Sequence, residues 1–501
     1  MSIMNETCAW EEDFSIDNDS VSGYNNSMFT ETETEEVMLV KICASICAFF
    51  IMATAALATL EPIECGDGEI DVIEVRAEAK QYASPDKTEE LPTMTEITTT
   101  TAAITTTAAE TTVTTTVSET TTEATTVTTQ TTPPVTTEPV SGSQVYMPLN
   151  YDNIRAMWFT FLDYEQLLKG RSAAEFEASM RARFSNAAAM GINTVFVHVR
   201  AHGDAYYKSA LFAPAAEYTE GYDPLEIMLR AAHDNGLSFH AWINPLRADT
   251  TERMDSMDGK YRIKQWYDEK RGDYIIQSGE FWYLNPAYED VRRLTAEGVA
   301  ELINGYAVDG IHIDDYFYPT QAAEFDAAAF AQSGSDDLRR WRKENVNELV
   351  SLLYGTVKGC NSKVLFGISP QGLSSANEAV SADIKLWAVG GWCDYIVPQL
   401  YYGFLNESAP IEQLLAEWRS CTSPEVKLII GLCTYKCGKT DSYAGSGASE
   451  WLTSPDVASR QAACVLAAED CDGIALYSYA STFSPDVGEE RARIAALLGK
   501  E

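Results

Sequence analysis

The sequence predicts an α/β protein whose C-terminal part is a (β/α)8 barrel of the TIM type. Three observations lead to this fold class. From Ile154 onward, short apolar runs alternate with amphipathic stretches of helical period. Eight such units fit within about 350 residues, which is the size of this barrel with insertions. Gly191 and Gly236 each stand between a predicted helix and the next strand, where helices commonly end on glycine.

The predicted units follow one another in a regular order. The strands cover residues 154–159, 194–200, 237–244, 310–314, 364–368, 395–398, 428–432 and 473–479. The helices lie near 174–190, 224–235, 287–304, 337–358, 381–390, 410–420, 456–469 and 487–498. The longest connection, 247–283, follows the third strand and is rich in aromatic residues: Tyr261, Trp266, Tyr267, Tyr274, Phe281 and Trp282. We expect this insertion to overhang the C-terminal end of the barrel.

The segment before the barrel is predicted to deliver it rather than to take part in its chemistry. Residues 1–37 form an acidic extension, and they would not be translated if Met38 is the true start. Residues 38–60 contain an apolar run that includes Ala56-Leu57-Ala58, the small-x-small pattern of a signal-peptidase site. We interpret this segment as a cleaved secretory signal, with an uncleaved membrane anchor as the alternative. Either way, the C-terminal region is expected to be extracellular or at the cell surface.

A linker separates this segment from the barrel. Residues 61–145 are predicted to be disordered, because more than half of residues 93–137 are threonine. Such a tract cannot bury enough apolar surface to offset the entropy lost on ordering. It is typical of an extended spacer of the kind that carries O-linked glycans. The globular domain is therefore assigned to residues 146–501.

Charge, cysteines and motifs exclude several classes of protein. The formal net charge of −38 argues against nucleic acid and anionic membrane surfaces, which bind basic patches. Contact with a membrane is expected only through the N-terminal segment, if it is uncleaved. Seven of the 11 cysteines fall between Cys360 and Cys471, which favours free thiols, or one or two disulfides, over a disulfide framework. No dinucleotide-binding or Walker motif is present, and no cofactor is predicted.

The fourth predicted strand carries the strongest chemical signal. It ends in two adjacent carboxylates, Asp314 and Asp315, at the end of the barrel where active sites lie. Burying unpaired charges there costs several kcal/mol, so a purely structural use is unfavourable. Asp314 shares a face with His312 and is our candidate for a nucleophile or stabilising carboxylate. Asp309, at the opposite end of the strand, is expected to be structural.

The role of Asp315 and the identity of a second carboxylate stay open at this point. Asp315 has the opposite parity to Asp314 unless the chain has already left the strand. It is interpreted as the acid/base catalyst, or as a partner of Arg200 or of a neighbouring loop. Asp204, Glu378 and Glu407 also lie on loops at the same end of the barrel.

The ends of the other strands supply groups that suit a sugar. Hydroxyls need polar partners, and the C–H faces of sugars stack on aromatic rings. Strict alternation also places His198 on the same face as Arg200, and His240 on the same face as Trp242 and Asn244. The predicted substrate-binding residues are Trp158, His198, Arg200, His240, Trp242, Asn244, His312, Tyr316, Gln399, Tyr401 and Tyr477. Glycoside hydrolysis by Asp314 and Asp315 is the chemistry we expect.

Two other chemistries are less favoured at these strand ends. His198, His240, His312 and Asp314 are residue types that bind metals, but no H-x-H or H-E-x-x-H spacing joins them, and no metal is predicted. Ser369 has no histidine partner near it in sequence, which disfavours a serine nucleophile.

Several motifs resemble the glycosyl hydrolase-like 10 family. They occur in order across about 150–499 and begin at Asn153 (NIRAMWFT), Tyr222 (YDPLE), Phe239 (FHAWINP), Trp282 (WYLNP), Val308 (VDGIHIDDYFYP), Trp341 (WRKENVN), Phe366 (FGISP) and Ile396 (IVPQLY). The resemblance implies a TIM barrel outside the cytoplasm that hydrolyses glycosidic bonds. It also implies bacterial cell-wall glycan as the substrate, in particular peptidoglycan strands stripped of their peptides.

The resemblance also implies roles for individual residues. The family's Asp-Asp-Tyr falls on Asp314, Asp315 and Tyr316. Its third-strand His and Asn-Pro fall on His240, Asn244 and Pro245, and its Pro-Gln-x-Tyr on Pro398, Gln399 and Tyr401. The family usually opens with Gly where this chain has Ala156 or Met157.

The expected function is therefore that of an extracytoplasmic glycoside hydrolase. Its expected partner is a polysaccharide, either a peptidoglycan strand or a related N-acetylhexosamine polymer. Two alternatives are kept: a non-catalytic glycan-binding surface barrel, and a metal-dependent carbohydrate deacetylase.

Overall fold

A closed barrel of eight parallel strands forms the centre of the molecule. The computed structural model describes residues 146–218, 221–269 and 273–499. Each barrel strand pairs with the barrel strands before and after it, and the last pairs with the first. The predicted TIM barrel is confirmed. The acidic extension 1–37, the signal or anchor 38–60 and the linker 61–145 lie outside the described residues. In the described ranges, no helix is long and apolar enough to cross a membrane.

The strands lie close to where the apolar runs predicted them. They are β1 (Ile154–Phe159), β2 (Thr194–Arg200), β3 (Ser238–Ile243), β4 (Gly310–Ile313), β5 (Leu365–Ile368), β6 (Tyr395–Ile396), β7 (Lys427–Cys433) and β8 (Gly473–Tyr477). The predictions for β3, β6 and β8 were each two residues too long. After β6, the Val397 N–H still donates to the Ile368 carbonyl over 2.8 Å. Pro398 has no N–H to donate, and Gln399 then bridges Gln371 and Gly431.

One main helix follows each strand. These helices are α1 (Ala173–Ala189), α2 (Pro224–His233), α3 (Glu289–Gly305), α4 (Leu338–Cys360), α5 (Ile384–Gly390), α6 (Ile411–Cys421), α7 (Val457–Leu466) and α8 (Gly488–Leu498). Helix α1 begins with a capping box between Ser172 and Glu175. It ends at Gly191, whose φ of +96° lets the Ile192 N–H reach back to the Ala187 carbonyl.

Shorter elements decorate the connections. The short helices are Phe161–Asp163, Glu165–Leu168, Thr251–Ser256, Arg262–Asp268, Ala323–Phe325, Ala327–Ser333, Ser374–Ala379, Gly445–Gly447, Glu450–Thr453, Tyr479–Thr482 and Pro485–Val487. Asp204–Ala205 and Ala213–Pro214 form a two-stranded ribbon. All seven cysteines of the described region are free thiols, which was the first of the two alternatives.

The long connection after β3 folds as a small antiparallel sheet with two helices. Its strands are Arg247–Thr250, Ile275–Ser278 and Phe281–Leu284, with Phe281–Leu284 in the middle. Phe281 stacks on His202, which follows β2, and Arg247 lies near Tyr316, which follows β4. The insertion therefore lies at the C-terminal end of the barrel, as expected.

Buried side chains pack the interior of the barrel. The apolar part is a separate cluster of buried residues: Ile154, Ala156, Trp158, Phe196, Trp242, Tyr395, Val397, Ile429 and Ala475. Gly367 makes room for one of the largest of them, because a Cβ there would lie 1.8 Å from the Tyr395 ring. The larger apolar core lies between the outer face of the barrel and the helices.

Candidate active site

A pocket of about 260 Å³ opens at the C-terminal end of the barrel. It is lined by Trp158, Trp242, Asp314, Asp315, Tyr316, Ser369, Gln399, Tyr401 and Tyr477. All but Ser369 were predicted as site residues. Ser369 donates its hydroxyl to the Val397 carbonyl, and its position at the end of β5 was the only sequence signal for it.

Asp314 lies at the floor of this pocket. Strand β4 ends at Ile313, and Asp314 continues the inward face of His312. The Trp242 indole N–H donates to its Oδ2 over 2.9 Å, and the Tyr316 amide donates to Oδ1 over 3.4 Å. The carboxylate is therefore held in place by donors from β3 and from its own loop, while it still borders the pocket.

Asp315 reaches the same pocket because the chain has already left the strand. Its Oδ1 accepts the side-chain amide of Gln399 over 3.2 Å, from the end of β6. Burial raises the pKa of this carboxyl, although the hydrogen bonds from Gln399 and Gln371 work against that rise. A carboxyl with a raised pKa retains its proton to higher pH, which suits a proton donor.

Aromatic rings form the wall opposite the insertion. Tyr401 and Tyr477 lie with ring centroids 5.7 Å apart, and Tyr477 also meets Trp158 edge-on at 5.9 Å. Tyr435 packs against both tyrosines. Carboxylates on the floor and rings on the wall form a surface suited to a sugar, with polar and apolar faces on different sides.

His198 lies beside the pocket without lining it. Its ring stacks on Trp242 at a centroid distance of 3.4 Å, and its Nε2 lies 3.9 Å from Asp314 Oδ2. Neither ring nitrogen has a hydrogen-bond partner among the described residues. Burial lowers its pKa well below the usual value, so the ring is neutral at pH 7. It therefore supports the Trp242–Asp314 pair by packing.

Arg200 lies on the other side of the barrel wall from the pocket. His198 pairs with Trp242, but Arg200 pairs with Ile243, so β2 contains a bulge. The bulge breaks the alternation that placed Arg200 on the face of His198. The guanidinium instead lies 4.2 Å from the Phe212 ring and packs against α3. Arg200 is thus separated from Asp315, whose partner is Gln399.

His240 and His312 lie beneath the pocket floor. The Trp158 indole N–H donates to His312 Nε2 over 3.1 Å, which leaves the proton on Nδ1 to reach the Tyr395 hydroxyl at 3.1 Å. That hydroxyl lies 2.7 Å from His240 Nδ1, and His240 Nε2 lies 3.1 Å from Ser238 Oγ. Burial lowers the pKa of His240 to about 4. Both rings are therefore neutral links of a hydrogen-bonded chain across the barrel interior.

Asn244 shapes the loop after β3 instead of lining the pocket. Its side-chain oxygen accepts the backbone amides of Leu246 and Arg247 at 3.3 and 3.0 Å. This Asx turn redirects the chain into the insertion.

The three loop carboxylates considered as a second catalytic group lie away from the pocket lining. Glu378 forms an ion pair with Lys343 at 2.6 Å, and Glu407 accepts the Ser446 amide. Asp204 is buried, and burial together with the nearby charge of Asp249 raises its pKa to about 7. Asp314 and Asp315 are therefore the carboxylates that line the described pocket.

The histidines and Asp314 do not converge on one point. In the described part of the chain, no group of three or more His, Cys, Asp or Glu residues is arranged to hold a metal ion. His240 and His312 bond instead to the tyrosine and tryptophan described above.

Comparison with known proteins matches this chain to one family. Residues 153–445 match the model of the family described as glycosyl hydrolase-like 10. Glycosyl hydrolase YngK of Bacillus subtilis (strain 168) is 32% identical over 317 residues, which cover 56% of this chain and 61% of that protein. Glycosyl hydrolase DigH of Escherichia coli (strain K12) is 30% identical over 282 residues, covering 50% and 64%. The chain thus spans less than two thirds of the length of these relatives. The names of the family and of these relatives support a glycoside hydrolase.

Among solved structures, the chain is similar to the PgaB (BpsB) glycoside hydrolase domain from Bordetella bronchiseptica. The identity is 14% and the TM-score 0.44, over 68% of this chain and 99% of that one.

Proposed function

This chain belongs to the glycosyl hydrolase-like 10 family, and on that premise we propose that it hydrolyses a bacterial wall glycan. The substrate we propose is a peptidoglycan strand or a related N-acetylhexosamine polymer. The observation that carries the proposal is the pair of adjacent carboxylates, Asp314 and Asp315, in an aromatic pocket at the C-terminal end of the barrel. That end is where the active sites of TIM-barrel enzymes lie.

Asp315 acts as the general acid in this proposal. Its raised pKa favours the protonated form, and Gln399 holds Oδ1, so the carboxyl has a fixed orientation in the pocket. It gives its proton to the glycosidic oxygen as the bond to the anomeric carbon breaks. The leaving sugar departs as an alcohol, and no alkoxide has to form.

Asp314 acts on the anomeric carbon as the nucleophile or as the stabilising carboxylate. As the nucleophile it forms an ester to this carbon while the glycosidic bond breaks, and water then cleaves the ester; as the stabilising carboxylate it leaves the carbon to be attacked by water directly. In both cases the proton of the attacking water passes to the Asp315 carboxylate, which restores the acid. The transition state carries positive charge on the sugar ring, which a negative carboxylate held below it stabilises. The Trp242 indole N–H fixes the position of that carboxylate. Tyr316, Tyr401 and Tyr477 offer ring faces and hydroxyls to the bound sugar.

We also propose that the barrel works outside the cytoplasm, secreted or anchored by residues 38–60. Wall glycan is found there, and the apolar run of this segment has the features of a signal or anchor. The threonine-rich linker would then give the barrel reach from the surface.

The test is to incubate the purified protein with peptidoglycan strands freed of their peptides and to measure new reducing ends. We expect reducing ends to accumulate with the wild type and not with Asp314→Asn. Saturable binding without reducing ends would favour the glycan-binding barrel instead. Release of acetate that stops after chelation would favour the metal-dependent deacetylase.

A further inference from the structure

Arg247 lies next to a residue that lines the pocket. Its guanidinium carbon is 3.9 Å from the centroid of Phe281 and 5.5 Å from the centroid of Tyr316, which borders the pocket. Its backbone is fixed on both sides, because Asn244 accepts its amide and Tyr283 pairs with it across the insertion sheet. The position of this cation is therefore set by the fold.

No carboxylate of the described residues lies within ion-pair distance of Arg247, although its charge acts on the nearby Asp249 carboxyl and lowers that pKa against the larger effect of burial. Its Nε is buried without a hydrogen-bond partner, and the nearby carboxylate of Asp249 lies 3.7 Å from Arg253 instead. Arg342 is a useful contrast. It too lies against a ring, that of Tyr318, but Asp326 accepts from its Nε and Nη2 at 2.9 and 2.5 Å.

A guanidinium packed against a ring can still offer its terminal N–H groups to a planar anion. Arginine binds carboxylates with two parallel hydrogen bonds, and the ring contact fixes the plane in which they form. The net charge of −38 opposes the approach of anions to the chain as a whole. A local cation beside the pocket is therefore needed to bind an anionic group of the substrate, and Arg247 supplies one.

We propose that Arg247 binds the lactyl carboxylate of an N-acetylmuramic acid unit when a peptide-free strand occupies the pocket. In such strands this carboxylate is free, whereas a polymer of N-acetylglucosamine alone carries none. Arg247 is then the residue that selects acidic wall glycan over neutral glycan. The inference rests on the proposed function and names the substrate group that the same site recognises.

The test compares peptide-free strands with the same strands after carbodiimide activation and borohydride reduction, which turns each carboxylate into a neutral alcohol. Reducing-end release gives kcat/KM for the wild type, Arg247→Gln, Arg247→Lys and Arg262→Gln. Arg262 is the matched control, because it belongs to the same insertion and pairs with Glu297 on the surface at 3.3 Å. Thermal unfolding verifies that each variant is folded. Dissociation constants are measured in parallel on Asp314→Asn, with and without Arg247→Gln.

We expect the wild type to prefer the untreated strands by about tenfold or more, since one charge-assisted contact is lost on reduction. Arg247→Gln should cleave both preparations at the lower rate, Arg247→Lys should retain part of the preference, and Arg262→Gln should retain all of it. Equal cleavage of both preparations by the wild type overturns the inference, as does an unchanged preference in Arg247→Gln. If neither preparation is cleaved, the proposed function fails. The inference is then tested by the ratio of the dissociation constants for untreated and reduced strands, which should favour the untreated strands in Asp314→Asn and lose that preference when Arg247→Gln is added.

Discussion

The two ends of strand β4 carry aspartates in opposite situations. Asp309 precedes the strand at the closed end of the barrel, is fully buried, and accepts four hydrogen bonds: from the Phe239 and Leu149 amides, the Tyr146 hydroxyl and His233 Nε2. Asp314 and Asp315 follow the strand at the open end and border a pocket. All three are buried, so burial alone does not mark a functional carboxylate. The two ends differ in that Asp314 and Asp315 border the pocket, whereas all the described partners of Asp309 are internal.

The pKa values of Asp309 and Asp315 shift in opposite directions, because burial and hydrogen bonding oppose each other at both carboxyls and a different one prevails at each. Burial acts to raise the pKa of Asp309, but its hydrogen bonds outweigh burial and lower it. At Asp315 burial prevails over the donors, and the pKa rises. Asp309 is thus held as an anion by internal donors, as expected of a structural carboxylate. Asp315 can hold a proton at a position where a ligand in the pocket would reach it.

Replacing Asp314 by Asn should produce the largest change. The amide is nearly isosteric but cannot supply negative charge to the anomeric carbon, so kcat should fall by about 10³-fold or more. The melting temperature should stay close to that of the wild type. Initial rates of reducing-end release and a calorimetric melt give both numbers. Wild-type turnover by a folded Asp314→Asn would remove Asp314 from the mechanism.

Replacing Asp315 by Asn should lower kcat by about 10² to 10⁴-fold and change the pH profile. A general acid must be protonated, so wild-type activity is lost as the pH rises through the pKa of Asp315. In Asp315→Asn that alkaline limb should disappear. Glycosides with a 4-nitrophenolate leaving group need little protonation and should regain much of the rate. An alkaline limb unchanged in Asp315→Asn would assign the proton donor elsewhere.

Replacing Asp309 by Asn should affect stability and leave kcat unchanged. The amide cannot accept all four donors, and we expect a loss of about 1–3 kcal/mol in the free energy of unfolding. The native pKa is lowered, so the contribution of Asp309 is present above the unfolded pKa of about 4 and is lost as the pH falls through the native pKa. The stability gap to the wild type should therefore narrow in acid. Urea titrations at pH 7 and pH 3 measure it, and a widening gap would contradict this account.

Replacing Trp242 by Phe should lower kcat less than replacing either pocket aspartate. It removes the N–H that donates to Asp314 and keeps a ring for His198 to stack on. One hydrogen bond to a charged group is worth about 1.5 kcal/mol or slightly more, so kcat should fall about tenfold. Steady-state kinetics test this, with Trp266→Phe in the insertion as the matched control. A rate equal to that of the wild type would mean that the indole N–H does not position Asp314.

The alternation of side chains predicted which face of each regular strand points into the barrel. It placed Trp242 and Asp314 correctly on the inward side, and the structure brings them into hydrogen-bond contact. It was wrong about Arg200, because the bulge in β2 shifts the inward-facing and outward-facing positions by one residue. The composition of the strand gives no sign of this bulge.

The alternation of side chains does not predict how deep along the barrel axis an inward-facing residue lies. His240 and His312 face inward as predicted, but each stands two residues before the pocket-lining residue of its strand, Trp242 and Asp314. They fall in the layer below, where they bond to Tyr395. Gly310 and Gly367 are the sequence signal for this packed layer. A Cβ at Gly310 would collide with His240, and a Cβ at Gly367 would collide with Tyr395.

The insertion between β3 and α3 has a consequence for protein engineering. It is a sheet of its own, entered through the Asn244 turn and left near the start of α3, and it contributes Arg247 and Phe281 but none of the pocket carboxylates. Bond cleavage and choice of glycan are then encoded in separate stretches of the chain. Substitutions at Arg247 and Phe281 are therefore the place to change the choice of glycan, while β4 and its aspartates stay untouched.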